Sequence, residues 1–261
     1  MIKILLYKIN LEVNILNNFI SKLTIFIMSI LILILTEPII PSASVDNPPV
    51  TEDNNNKKVV YLTFDDGPSE NTTKILDILK ENDVKATFFI ISPYIPSHND
   101  IVKRIYEEGH ALGNHTADHE FNKIYTSEEA FMKSFNKQQE FIKEMTGSEC
   151  KIFRFPGGSK NTLVRNARGK DFTKNIILKL ESEGFHCYDW NVDSGDSHAN
   201  SVPVGAICNN ILKEMKDKDG NLKNPSIVLM HDCLTKKTTV QALPEIIKIF
   251  KDNGYEFDTL K

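Results

Sequence analysis

An α/β fold built on parallel strands is what this sequence predicts, on three observations. From Val59 onward, short β-type runs alternate with amphipathic helical segments. Gly109, Gly184 and Gly254 each follow a helical run, where a left-handed residue ends a helix. Roughly two hundred residues follow the amino-terminal region, enough for one domain with a substantial core. Repeated strand–helix units return by right-handed crossovers, so the strands run parallel. That pattern permits a doubly wound sheet or a barrel.

Taken in order, residues 23–36 carry no charge and are dominated by Leu and Ile. This is about the length of a secretory hydrophobic region and short of the ~20 residues of a spanning helix. Ser42-Ala43-Ser44 offers small residues for cleavage, so residues 1–44 read as a signal peptide or membrane anchor and the rest as exported. Residues 45–58 are polar and contain Pro-Pro, a tether with too little apolar content to fold. The catalytic domain is expected over 59–261. Its strands are expected at 59–64, 86–91, 111–114, 151–155, 186–192, 226–230 and 255–259. Helical segments lie between them at 72–82, 100–108, 127–145, 172–183, 203–216 and 240–251. In 127–145, Thr126 and Glu129 fit a capping box, and Phe131, Phe135, Ile142 and Met145 form one stripe.

The net charge is -4, and Lys3, Lys8 and Lys22 against Glu12 and Glu37 leave the remainder at -5. A mildly acidic domain without a basic cluster argues against nucleic acid as the main partner. Cys150, Cys187, Cys208 and Cys233 form no Cys-x-x-Cys pair, which leaves a zinc ribbon unsupported. Cys150 and Cys187 each stand near the start of a strand; a bridge between them and small buried thiols are both open readings.

The first strand ends in Asp65-Asp66, and Gly67-Pro68 turns the chain away. Two adjacent carboxylates repel unless a proton or cation separates them, although Asp-Asp-Gly-Pro-Ser is also ordinary turn chemistry. Fifty residues on, His115 and His119 stand four apart, a spacing that converges on one ion from a helical turn or tight loop. With the aspartates they suggest an Asp, His, His site open to water and substrate.

Five stretches in order carry a resemblance: Thr63-Phe64-Asp65-Asp66-Gly67, His115-Thr116-Ala117-Asp118-His119, Arg154-Phe155-Pro156-Gly157-Gly158, Asp189 to Asp196, and Leu229-Met230-His231. Together they resemble the polysaccharide deacetylases, the family of the NodB homology domain and carbohydrate esterase family 4. The resemblance spans Lys58 to Lys261. It implies an irregular (β/α) barrel of about seven parallel strands, with the motifs at the carboxyl ends of the strands. It implies hydrolysis of N-acetyl groups, with Asp66, His115 and His119 on one divalent ion, expected to be zinc. Asp65 is the implied general base and His231 the general acid. Arg154 is implied to hold Asp65, Asp196 to support His231, the Gly157 main-chain N–H to stabilise the oxyanion, and Leu229 to line the acetyl pocket.

Asp118 reads as a turn or supporting carboxylate, Asp193 as a turn cap, and Trp190 and Phe155 as barrel core. His98, His110 and His186 have no motif partner and read as surface or packed side chains. Two departures from the family pattern are visible: Gly157 stands where many relatives carry Tyr, and Ser197 where they carry Trp. The expected partner is an N-acetylated cell-wall polysaccharide acted on by a monomer. Chitin oligosaccharides, acetylxylan and a noncatalytic glycan-binding role are the competing readings. Retention of both an acid and a base argues against the last.

Overall fold

The structure is a computed structural model, and it describes residues 57–92 and 95–261. The expectations for the signal or anchor and for most of the tether lie outside the described residues.

Among the described residues, eight strands form one parallel sheet. They are β1 (Lys58–Asp65), β2 (Thr87–Ile90), β3 (Ala111–Asn114), β4 (Ile152–Phe153), β5 (His186–Cys187), β6 (Val192–Asp193), β7 (Ser226–His231) and β8 (Tyr255–Phe257). Seven follow the order β5-β4-β3-β2-β1-β7-β6, the curled sheet of an irregular (β/α) barrel. β8 pairs with β1 at Lys58–Val60, on the edge that β2 occupies further along at Thr63–Asp65. One long strand thus accepts two short partners end to end.

β1 is the axis of the domain. Leu62, Thr63 and Phe64 are all fully buried, so both of its faces are covered, as the unbroken apolar run from Val59 to Phe64 requires. Phe64 stacks on Phe88 of β2 with ring centroids 5.2 Å apart. A second apolar cluster gathers Phe131, Phe135, Phe153 and Phe155 beside the strands β4 and β5.

Among the described residues, eight α-helices connect the strands: α1 (Glu70–Glu81), α2 (Asn99–Glu107), α3 (Phe121–Ile124), α4 (Glu128–Thr146), α5 (Thr162–Arg168), α6 (Phe172–Ser182), α7 (Val204–Glu214) and α8 (Lys237–Asp252). α3 and α5 are missing from the sequence-based prediction because one or two turns are too short to show a 3.6-residue period. The cap of α4 also moves by one residue. Ser127, not Thr126, accepts from the Ala130 N–H, because the Thr126 hydroxyl donates to the Lys123 carbonyl and closes α3.

The strand predicted over 186–192 is two strands at opposite ends of the sheet. Tyr188 N–H still donates to Phe153 O, while Asn191 N–H donates to Ile227 O on the other side. The intervening residues therefore cross the seam of the barrel. The carbonyls of Tyr188 and Asp189, which leave the ladder there, accept from the Arg154 guanidinium at 2.8 and 3.2 Å. All four cysteines are free thiols. Cys150 lies two residues before Ile152, the register partner of His186, so it does not stand opposite Cys187 and no bridge forms. Its thiol donates instead to the Leu112 and Ile152 carbonyls at 3.0 Å. Gly109, Gly184 and Gly254 have the left-handed φ values, 78°, 81° and 74°, that their positions after helices require.

Candidate active site

The carboxyl end of β1 sets the geometry. Asp65 is its last residue and is the register partner of His231, the last residue of β7. Asp66 then adopts φ 75°, an uncommon left-handed conformation for a non-glycine residue. Such strain costs about 1–3 kcal/mol and persists only where the surroundings impose it. Here they do: Gly67 passes so close to Asp232 that a Cβ would lie 2.2 Å from its carboxylate oxygen.

Asp66 meets His115 and His119. Both Nε2 atoms lie 3.5 Å from Asp66 Oδ1. The three side chains can offer one ligand atom each within 4.8 Å of one another, as expected of a single ion site. His115 follows β3, and Thr116 at φ 65° bends the chain so that His119 returns to the same place, a tight loop rather than a helical turn. The bend is held by Thr116 N–H donating to Asn114 Oδ1 at 2.8 Å. His115 Nδ1 donates to the Arg154 carbonyl at 2.8 Å, which turns a lone pair on Nε2 toward the cluster. Burial lowers the His115 pKa to about 3 against the opposing charge of Asp66, so the imidazole is neutral. Asp66 Oδ1 is itself buried without a hydrogen-bond partner. An orphaned carboxylate oxygen facing two imidazoles fits a borderline divalent cation. Asp118 stays outside the cluster, accepting from Glu120 N–H at 3.3 Å and Ser134 Oγ at 3.5 Å.

Asp65 and Arg154 form a buried pair. Arg154 is fully buried, and its Nη1 donates to Asp65 Oδ1 at 2.8 Å and to Thr63 Oγ1 at 2.7 Å. The guanidinium also lies 4.2 Å from the centroid of the Phe89 ring. Asp65 Oδ2 faces His115 Nε2 at 3.8 Å. Burial raises the Asp65 pKa, and the charges of Arg154 and His231 oppose that rise without cancelling it. A cation beside it would favour the carboxylate further.

His231 and Asp196 form the second pair. His231 Nδ1 lies 2.7 Å from Asp196 Oδ1, and the His231 N–H donates to Asp196 Oδ2 at 2.8 Å. Thr239 Oγ1 donates to the same Oδ2 at 2.8 Å. Burial alone would lower the His231 pKa, but the Asp196 hydrogen bond and charge, with Asp65 and Asp66, raise it to about 9. The same hydrogen bonds hold Asp196 below the usual carboxylate range despite its burial. Asp193 does what a turn cap does, accepting from Gly195 N–H at 2.7 Å.

Gly157 is exposed with φ 75°, and a Cβ there would meet Phe121 at 2.8 Å and Asn161 at 2.4 Å. Its N–H donates to no acceptor among the described residues. Leu229 is buried on β7, level with Thr63. Phe155 is core, as expected, but Trp190 is only half-buried. It lines a cavity of ≈ 440 Å³ with Gly157, Gly158 and Asp189, and therefore is not purely core. His110 is buried, with Nδ1 accepting from Ala86 N–H; His98 is half-buried and His186 exposed.

The sequence reading missed the residues that hold this machinery. Thr63 seats Arg154, Thr239 and Lys236 seat the Asp196 turn, and Asp232 lies under Gly67. Burial raises the Asp232 pKa to about 7, its Oδ2 accepts from Thr72 Oγ1 at 2.5 Å, and Oδ1 has no partner. Adjacency to His231 was the only signal available for Asp232, and Thr239 had none.

A parallel barrel that gathers an acid and a base on adjacent strand ends, beside an Asp/His/His cluster, defines a hydrolase of the (β/α) class. The family model for polysaccharide deacetylase matches residues 52–172. YheN of Bacillus subtilis is 39% identical over 213 residues, covering 81% of this chain and 70% of its own. A peptidoglycan-N-acetylglucosamine deacetylase of Bacillus cereus is 36% identical, covering 77% and 69%. The catalytic domain of peptidoglycan N-acetylglucosamine deacetylase from Eubacterium rectale superposes with a TM-score of 0.73 at 33% identity, covering 85% of this chain and 94% of that one. The chain belongs to the polysaccharide deacetylase family.

Proposed function

We propose that this enzyme hydrolyses N-acetyl groups from amino sugars of the cell wall, at N-acetylglucosamine or N-acetylmuramic acid residues of peptidoglycan, and releases acetate. The carrying observation is the pairing of two oppositely tuned groups on adjacent strand ends. Buried Asp65 is held by Arg154, and His231 by Asp196, with the Asp66, His115, His119 cluster beside them. An amide needs a polarised carbonyl, an activated water and a proton for the departing nitrogen. A divalent ion held by Asp66, His115 and His119, in this reading zinc, supplies Lewis-acid polarisation of the carbonyl and of the attacking water.

The chain's own residues do the rest. Asp65 has one oxygen tied to Arg154 and the other turned toward the cluster, where it takes a proton from water. His231 keeps its Nδ1–H on Asp196 and offers Nε2–H to the leaving nitrogen. Asp196 keeps that imidazole charged near neutral pH, which is the protonation state a general acid needs. The free Gly157 N–H is a donor for the oxyanion, and buried Leu229 lines the acetyl methyl site. The uncharged run at 23–36 supports export of the domain, with the wall as its place of action in this reading. Peptidoglycan-N-acetylglucosamine deacetylases among the relatives favour the same substrate.

Acetate release by the purified protein from peptidoglycan, chitooligosaccharide and acetylxylan, with and without chelator, tests the reading. Chelator-sensitive release from peptidoglycan is the expected result. Release from acetylxylan alone would make it an ester hydrolase, and release unaffected by chelator would remove the ion from the mechanism.

A further inference from the structure

The three residues of the ion cluster are held in place by different means. Asp66 is fixed through its backbone, in a left-handed turn whose next residue packs on Asp232. His115 is buried, and its Nδ1 donates to the Arg154 carbonyl at 2.8 Å. His119 has neither support. Its side chain is 37% exposed, and its ring makes no hydrogen bond among the described residues. Histidines that bind a metal ordinarily donate their other ring N–H to a protein acceptor, which sets the orientation of the ring. The orientation of His119 has to be set by packing instead.

The packing partner is Phe121, two residues further on and the first residue of α3. Its ring centroid lies 5.3 Å from that of His119 with the planes 37° apart, nearer than the His115 ring at 5.5 Å. These are the separations of attractive aromatic pairs. Phe121 is itself supported from behind. The buried Tyr125 meets it edge-on, with centroids 5.3 Å apart and planes at 87°. The Tyr125 hydroxyl donates to the Pro156 carbonyl at 2.8 Å, and Arg168 Nε donates to the Tyr125 carbonyl at 2.6 Å. A line of contacts thus runs from Pro156 through two aromatic rings to His119.

The residue after Pro156 leaves room for that line. A Cβ at Gly157 would stand 2.8 Å from Phe121 Cζ, well inside the ~3.5 Å at which carbon atoms pack. Phe121 occupies beside His119 the space that a side chain at 157 would need. We propose that Phe121 is the positioning residue for His119: its ring, admitted by the bare backbone at Gly157, restricts the imidazole to the orientation in which Nε2 faces Asp66 Oδ1 at 3.5 Å. This role rests on the ion site of the deacetylase reading and extends it to a residue outside the five motifs. An imidazole free to turn must be ordered when an ion binds, and the freedom lost then weakens affinity. Phe121 therefore acts on ion affinity, without touching the reacting atoms.

The test measures zinc affinity of the full chain, stripped of metal, by competition with a chromophoric chelator. The Tm of the ion-free chain is followed in parallel. Phe121→Ala is expected to weaken zinc binding about tenfold, the lower end of the cost of losing a partner of a ligating histidine. Phe121→Leu keeps a bulky apolar group against the imidazole and should recover affinity to within about threefold of wild type. Where Phe121→Ala does not unfold cooperatively, Phe121→Val carries the same expectation. Gly157→Ala strains its own loop in either background, so it is made with and without Phe121→Ala. It should weaken zinc binding in the wild-type chain and add nothing once the ring is gone, a coupling that touching residues show and independent sites do not. Unchanged zinc affinity in Phe121→Ala, whatever its Tm, would reduce the ring to ordinary packing and overturn the proposal. Losses in Gly157→Ala and Phe121→Ala that simply add would overturn it too. A wild-type chain that binds no zinc would refute the ion site and the positioning role together, and is thereby told apart from failure of the role alone.

Discussion

Asp196→Asn isolates the support of His231, the proposed general acid. In the folded chain His231 sits at a pKa of about 9, against an ordinary 6.5. Burial works against that rise, and the Asp196 hydrogen bond and charge are the largest contributions in its favour. Asp65 and Asp66 also contribute, but a bound cation opposes their field. Removing the Asp196 charge therefore returns the imidazole toward 6.5 or below. From about 9 to 6.5 is a fall of two to three pH units, on the order of 3 kcal/mol at about 1.4 kcal/mol per unit. The sign is fixed: a raised pKa keeps the acid protonated to higher pH, so its loss moves the basic limb of the pH–rate profile down, by about 2 pH units. The amide of Asn would also donate to Nδ1 where the carboxylate accepts, leaving a neutral imidazole with its proton on Nε2, a poor acid. The assay is acetate release against pH, with metal content of each preparation measured in parallel. Metal content should stay at the wild-type level. Asp193→Asn is the control, since Asp193 accepts only from the Gly195 N–H in its own turn. A basic limb unmoved in Asp196→Asn, or a larger effect in Asp193→Asn, would refute the reasoning.

His119→Ala removes one of the three proposed ligands and should lower metal content and activity together, by about 100-fold or more in activity; full activity in a metal-free preparation would sink the ion site. Arg154→Met leaves Asp65 buried without its partner, which costs about 3–5 kcal/mol. For a domain of this size that lowers Tm by roughly 10 °C, and an unchanged Tm would mean that the pair is not buried in solution. A chain beginning at Asn56 keeps Lys57 on Glu256 and the Lys57 carbonyl on Asn224 Nδ2. It should unfold cooperatively and release acetate from soluble substrate as the full chain does, and loss of the cooperative transition would show that the domain starts earlier.

Residue order alone determined much of the chemistry. Asp65-Asp66-Gly67, His115 with His119, Arg154 and His231 are legible because each requires a particular residue type, and those types stand in short motifs at strand ends. Strand–helix alternation was legible too, since apolar periodicity is a local property. Asp196 could be chosen over Asp193 only through a family motif, and the structure places it against both the ring and the main chain of His231.

What needed the tertiary structure is whatever depends on residues far apart in the chain. The run 186–192 has strand composition throughout, yet splits in two because the barrel's seam falls inside it and Arg154 takes the carbonyls that leave the ladder. Thr239 supports Asp196 from 43 residues away, and Thr63 supports Arg154 from 91. Neither threonine differs in sequence from one on the surface. A residue's type is written in the chain, but its partners are chosen by the packing of the barrel.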